Sequence, residues 1–157
     1  MKRSLIPLAI SLALAYGAAF VGGLFTAGAV ETWYPTLIKP ALNPPSWIFG
    51  PVWTLLYALM AIAAWRIYET KRHNEEGKTL LWVYAIHLVV NAAWSIAFFG
   101  LQNPALALAI IVVLWLMIAY LTAGFYRINR LAGYLLLPYL AWVSFASYLN
   151  LSIVLLN

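Results

Sequence analysis

Of 157 residues, 66% are hydrophobic and only 8% charged, and the mean hydropathy is +0.90. A soluble domain usually carries about a quarter charged residues, so a water-facing surface cannot be built from this composition. The net charge of +5 comes from basic residues scattered at the ends of apolar stretches with no basic face. That argues against a nucleic-acid partner, and the absence of cysteine excludes disulfides and thiolate metal sites.

Cut at its polar and turn-forming breaks, the chain gives five apolar stretches: roughly 5–30, 47–68, 80–100, 104–126 and 131–156. Each has about the 20 residues a helix needs to cross about 30 Å of hydrocarbon. In lipid every backbone polar group must be paired, and alternating strand patterning is missing, so the expectation is an all-α, five-transmembrane-helix bundle forming a single domain over 1–157. The short breaks Lys71–Lys78, Gln102–Pro104 and Arg127–Arg130 make consecutive helices antiparallel neighbours.

The first stretch opens with Lys2 and Arg3 and ends near Ala27-Gly28-Ala29, the outline of a cleaved leader. An apolar leader core runs about 7–15 residues, whereas this one is far longer, which favours a retained span. Ala18 and Gly22, like Ala19 and Gly23, stand four apart and allow another helix to approach closely. Residues 31–46 follow as a proline-stiffened segment with Trp33, Tyr34, Leu37, Ile38 and Leu42, either a lid over a cavity mouth or a segment resting on lipid headgroups. Counting Lys and Arg on alternate sides places Lys2, Arg3, Arg66, Lys71, Arg72, Lys78, Arg127 and Arg130 together against Lys39 alone. The basic side is expected to be cytoplasmic, with the N-terminus inside and Asn157 outside.

In the second stretch Phe49, Trp53 and Tyr57 recur one turn apart. In the third, His87, Asn91, Trp94, Ser95 and Phe98 share one face, and an Asn in hydrocarbon without partners is costly, so that face points inward. Helix–helix hydrogen bonding and a pocket wall both fit it. In the fifth, Tyr139, Trp142, Ala146, Leu149 and Asn150 make a comparable face, where Ala146 beside Trp142 leaves either a recess or ordinary packing. Trp33, Trp47, Trp65 and Trp82 fall near membrane edges, where an interfacial belt explains them; Trp53, Trp94 and Trp142 lie deeper, and a belt does not.

Catalytic and metal constellations are missing from this pattern. The acids Glu31, Glu69, Glu75 and Glu76 all sit at predicted membrane edges, His73 and His87 are far apart, and no Gly-rich phosphate loop occurs. No metal and no cofactor is expected.

Three segments in order, WYPTLIKPALNPPSW (Trp33–Trp47) with Trp53, NAAWSIAFFG (Asn91–Gly100) and LLLPYLAWVSFASYLN (Leu135–Asn150), give the whole chain a close resemblance to the translocator protein/tryptophan-rich sensory protein family, the peripheral-type benzodiazepine receptor family. The resemblance implies a five-helix bundle, usually dimeric, whose pocket opens under the first loop and takes porphyrins such as protoporphyrin IX. It assigns ligand contacts to Tyr34, Phe49, Trp53, His87, Asn91, Trp94, Trp142, Phe145 and Ala146. It also implies a membrane receptor or sensor for porphyrins and other flat apolar molecules as the leading function. A light-dependent porphyrin-degrading enzyme, with Trp53 and Trp142 as the candidate catalytic residues, and a porphyrin or lipid transporter are the alternatives. The sterol motif that animal members carry at the end of the fifth helix is absent, since no Lys or Arg follows Tyr148.

Overall fold

The computed structural model describes residues 5–71 and 73–157; Lys2, Arg3 and Arg72 of the topology count lie outside the described residues. Five helices, all long and apolar enough to cross a membrane, make up the bundle: α1 (Leu5–Thr32), α2 (Phe49–Lys71), α3 (Glu75–Ser95), α4 (Pro104–Ile128) and α5 (Arg130–Leu156). No strand occurs among the described residues. α3 continues through a π-helical turn at Ile96–Gly100, and single 3₁₀ turns at Tyr34–Thr36 and Ser46–Ile48 punctuate the first loop.

Asparagine starts three of the five helices. Asn74 accepts from the Glu76 N–H at 2.8 Å, Asn103 from Leu106 at 3.0 Å, and Asn129 from Ala132 at 3.1 Å, each satisfying a first-turn donor that has no partner inside its helix. Pro104 occupies the first turn of α4, where its missing N–H costs nothing. Asn129 also ends α4 by donating its own N–H to the Phe125 carbonyl at 2.7 Å, so one residue turns the chain from α4 into α5. Between the π turn and α4, Gln102 takes a positive φ of 51°, a left-handed joint that non-glycine residues adopt sparingly.

The helices close a ring in the order α1–α2–α5–α4–α3, each packed on its two ring neighbours, with α2 and α3 also touching across it. Met60, Ile67, Leu80, Ile118, Leu121, Phe125, Leu136 and Tyr139 fill the centre, while large apolar side chains such as Phe20, Leu24, Trp82 and Val89 face outward, as lipid-facing surface requires. α1 buries only Ser11, Ala15 and Gly22, a narrow stripe of small residues on one side. The close-approach spacing read in the sequence is therefore used within the chain: a Cβ on Gly22 would stand 3.1 Å from Ser95 Oγ of α3. Lys71, Lys78, Arg66, Arg127 and Arg130 gather at one end of the bundle, where Arg127 approaches Glu76 at 3.9 Å and Lys78 pairs with Glu75 at 2.7 Å. Lys39 lies at the other end, where Asn157 bonds the neighbouring Ile38 of the first loop.

The joint between α4 and α5 is tight at Gly133. A Cβ there would lie 2.5 Å from Tyr126 Cβ and 2.6 Å from Tyr126 Cα, and backbone cannot swing aside. Gly133→Ala is expected to cost about 1–3 kcal/mol through overpacking, whereas Gly17→Ala, which meets nothing within 4 Å, leaves stability unchanged. Thermal unfolding of both variants in the same detergent checks this, and equal melting temperatures would contradict it.

Candidate functional site: an aromatic cavity inside the bundle

α1, α2, α3 and α5 enclose a cavity of about 260 Å³ at the end of the bundle that carries the first loop. Its walls are unequal. α1 contributes Tyr16 at one edge and then small residues, Ala19, Gly22 and Gly23, where α2, α3 and α5 contribute most of the rings: Phe49, Trp53 and Tyr57, then Trp94, Phe98 and Phe99, then Trp142. The space exists because α1 leaves side chains out.

The rings form a connected wall. Phe49 meets Trp142 edge to face at 6.0 Å, Trp53 tilts against Tyr57 at 5.7 Å, and Trp94 stacks on Phe98 at 5.4 Å between centroids. Such offset and edge-on pairs each contribute about 0.5–1.5 kcal/mol beyond the area they bury.

Behind this wall runs a chain of buried polar groups. The Tyr57 hydroxyl donates to Asn91 Oδ1 at 2.5 Å, Asn91 Nδ2 donates to Tyr139 Oη at 2.7 Å, and Tyr139 Oη lies 3.0 Å from His87 Nε2. His87 Nδ1 stands 2.9 Å from the Tyr84 carbonyl. A carbonyl oxygen accepts only, so the imidazole proton sits on Nδ1 and Nε2 carries a lone pair. Every bond in the chain then has one direction, from Tyr57 through Asn91 to Tyr139, and from Tyr139 to His87. A second, shorter chain pins Trp94: its indole N–H donates to Asn150 Oδ1 at 3.1 Å, and Asn150 Nδ2 donates to the Pro104 carbonyl at 2.8 Å.

The first loop folds back over the same end. Tyr34 is buried with its ring 6.4 Å from Phe49 and 6.0 Å from Phe99, and its hydroxyl donates to Asn43 Oδ1 at 2.6 Å. Burial raises the Tyr34 phenol above its ordinary pKa, and the bond to Asn43 offsets part of that shift. Lys39 Nζ donates to the carbonyls of Leu37 at 2.8 Å and Tyr34 at 3.0 Å, holding the loop's own curvature. Asn157 clamps Ile38 from both sides, accepting from its N–H and donating to its carbonyl, each at 3.0 Å.

Of the nine positions singled out in the sequence, Tyr34, Phe49, Trp53, Asn91, Trp94, Trp142 and Ala146 come together on the cavity wall. His87 and Phe145 do not. His87 lies a turn deeper than Asn91 and is wholly buried between Tyr84 and Tyr139, whose ring centroids are 5.3 and 5.5 Å away. Phe145 packs against Trp142 and Tyr148 at 5.7 and 6.3 Å and is not among the residues lining the cavity. The α1 wall, Tyr57 and Phe99 were not among the nine. Tyr57 was legible as the residue one turn beyond Trp53, but nothing in the spacing shows that α1 rather than α4 faces this rim.

Asn91 is the hinge of the polar chain, and its replacement leaves two buried hydroxyls short of a partner. Asn91→Leu is expected to cost about 1–3 kcal/mol, the penalty of unpaired buried polar groups, despite the added apolar surface. An unchanged melting temperature in detergent would show that the chain is not a structural element.

Residues 9–156 match the TspO/MBR family. The chain is 41% identical over 157 residues to the tryptophan-rich protein TspO of Chlorobaculum tepidum, covering 100% of this chain and 99% of that one. It is 39% identical over 142 residues to the tryptophan-rich sensory protein of Cereibacter sphaeroides, with 88% and 87% covered. It is 36% identical over 132 residues to the human translocator protein, with 83% and 78% covered. With that match spanning nearly every residue of the bundle and of the wall just described, the chain belongs to the TspO/MBR family.

Proposed function

We propose that the protein is a membrane receptor or sensor that binds porphyrins, protoporphyrin IX among them, and similar flat apolar molecules in the cavity between α1, α2, α3 and α5. The observation that carries this reading is the wall itself: Trp53, Trp94 and Trp142 turn inward onto one cavity, unlike Trp47 and Trp82, whose exposure an interfacial belt explains. An apolar, aromatic pocket with a few polar groups suits a ligand recognised by its faces. At about 260 Å³ the cavity lies just below the usual range of ligand pockets, so only part of a porphyrin's ring system seats in it as it stands. Two relatives are a sensory protein and a translocator by name, which accords with a sensing role.

Losing one indole face removes on the order of 1 kcal/mol, so Trp53→Phe and Trp142→Phe are expected to weaken protoporphyrin IX binding roughly five- to tenfold. Ala146→Leu fills the recess beside Trp142 and discriminates by size, weakening bulky ligands more than small ones. Trp65→Phe, at the opposite end of the bundle, serves as the control. Quenching of porphyrin fluorescence by the protein in nanodiscs measures all four. If Trp65→Phe weakens binding while Trp53→Phe and Trp142→Phe do not, the ligand lies elsewhere.

We also infer that the end bearing Arg66, Lys71, Lys78, Arg127 and Arg130 is cytoplasmic, because short loops rich in Lys and Arg are retained on that side. Since the chain has no cysteine, single cysteines report without background. Glu75→Cys should be shielded from an impermeant thiol reagent in intact cells, while Thr36→Cys and Asn157→Cys should label. The opposite pattern reverses the topology.

A further inference from the structure

Trp53 touches two tyrosines, and the two differ in one chemical respect. Tyr57 lies 5.7 Å away and Tyr139 6.1 Å away, ring centre to ring centre. The Tyr57 hydroxyl donates to an amide oxygen, Oδ1 of Asn91, which is not a base. The Tyr139 hydroxyl donates to the lone pair of His87 Nε2, which is one. Tyr16 and Tyr34 resemble Tyr57 here, donating to the Thr54 carbonyl and to Asn43 Oδ1.

A phenol gives up an electron far more readily when its proton can leave at the same time. Without an acceptor, oxidation leaves a phenol radical cation, a far stronger acid than imidazolium, with no base to take its proton. With imidazole 3.0 Å away, the proton crosses one hydrogen bond and the tyrosine becomes a neutral radical. Two features hold the pair ready. The His87 Nδ1–H bond to the Tyr84 carbonyl fixes the tautomer and also stabilises the imidazolium that forms. The Asn91 Nδ2–H bond to Tyr139 Oη remains in place as the oxygen loses its proton.

We propose that Tyr139 and His87 form a redox-active couple that draws the oxidising equivalent off Trp53 when a conjugated ring system in the cavity is photoexcited. This rests on the reading of the cavity as a site for flat conjugated ligands. The excited ligand takes one electron from the Trp53 indole and becomes its radical anion. Tyr139 returns one electron to Trp53, and its hydroxyl proton moves to His87 Nε2. The O–H bond of Tyr139 breaks and an N–H bond forms. What remains is a reduced ligand, an intact indole, a tyrosyl radical and an imidazolium. Return of the electron from the ligand and of the proton from His87 resets the pair. His87, absent from the cavity wall, thus acts from behind it through Tyr139.

The test is electron paramagnetic resonance on the full chain in nanodiscs, with protoporphyrin IX bound and a soluble irreversible electron acceptor to strand the hole, illuminated and frozen. The expected result is a tyrosyl signal that Tyr139→Phe abolishes, leaving an indolyl signal, and that Tyr57→Phe keeps. His87→Phe should lose the tyrosyl signal while still binding the porphyrin. Should that variant fail to fold, flash kinetics of the unaltered protein decide: tyrosyl formation should be slower for protein prepared in D₂O, which a purely structural role for His87 would not produce. A second arm uses no ligand, since an ultraviolet flash ejects electrons from indoles directly and should yield the same Tyr139 signal. Failure of the porphyrin to bind would sink the reading of the cavity and leave this arm standing. A tyrosyl signal unchanged in Tyr139→Phe, or a formation rate equal in H₂O and D₂O, would overturn the couple.

Discussion

The polar chain from Tyr57 through Asn91 and Tyr139 to His87 is the constraint on which the rest of the bundle depends. It joins α2, α3 and α5 where no water can replace a lost partner, so each member needs the others. Interhelical hydrogen bonds in membranes contribute only about 1 kcal/mol each, and apolar packing supplies most of the stability. What the chain adds is rotation and depth. Packing of Leu, Ile and Ala against one another tolerates a small turn of a helix about its axis, but a bond at 2.5 to 3.0 Å does not. With the three helices fixed in this way, Trp53, Trp94 and Trp142 arrive on one wall.

The cavity follows from an asymmetry between that fixed trio and α1. The trio supplies rings and hydrogen bonds; α1 supplies Ala19, Gly22 and Gly23 at the same level and touches α3 closely at Gly22. A helix carrying large side chains there would fill the space, and one without a small residue at 22 would be pushed away from Ser95. The void is therefore a property of α1 as much as of the aromatic wall. Glycines such as Gly17 and Gly28 meet nothing, so only part of the small-residue content of α1 is used for packing within the chain.

Much of this was legible in the sequence, and the reasons for the gaps are physical. Apolar runs of helix-spanning length gave five helices, with bounds near those observed except that α3 begins at Glu75, five residues before the expected start, because the charged first turn is capped by Asn74. Asn103 and Asn129 stand at or within two residues of the expected starts of the fourth and fifth helices, whereas Asn74 caps the third earlier than hydropathy alone indicates. Periodicity put Trp53, Asn91, Trp94, Trp142 and Ala146 on inward faces. It could not rank depth along a face: His87 and Asn91 are one turn apart on the same stripe, yet Tyr139 covers the first while the second borders the cavity. Nor could it order the helices in the ring, because short loops make α2 and α3 neighbours without showing that α5 stands between α2 and α4. Phe145 follows from the same limit, since residues adjacent in a helix point in different directions and only tertiary packing selects one.

A wall that contains Tyr16, Tyr34, Tyr57 and Asn91 might be taken for a polar one. Its chemistry is different because the membrane interior makes unpaired donors expensive, and these hydroxyls have been paired with protein acceptors: Tyr16 with the Thr54 carbonyl, Tyr34 with Asn43, Tyr57 with Asn91. Their hydrogens are used within the fold, and what they turn to a ligand is chiefly ring. The same pairing spends Lys39, whose ammonium is held by carbonyls of its own loop. Most of the wall's polarity is thus used in shaping the site, the buried Trp142 indole N–H being left without a protein partner among the described residues, and recognition rests chiefly on aromatic faces and fit. That division also places Tyr139, whose hydroxyl is bonded to a base, behind the wall at ring contact with Trp53, out of reach of the ligand but within reach of its chemistry.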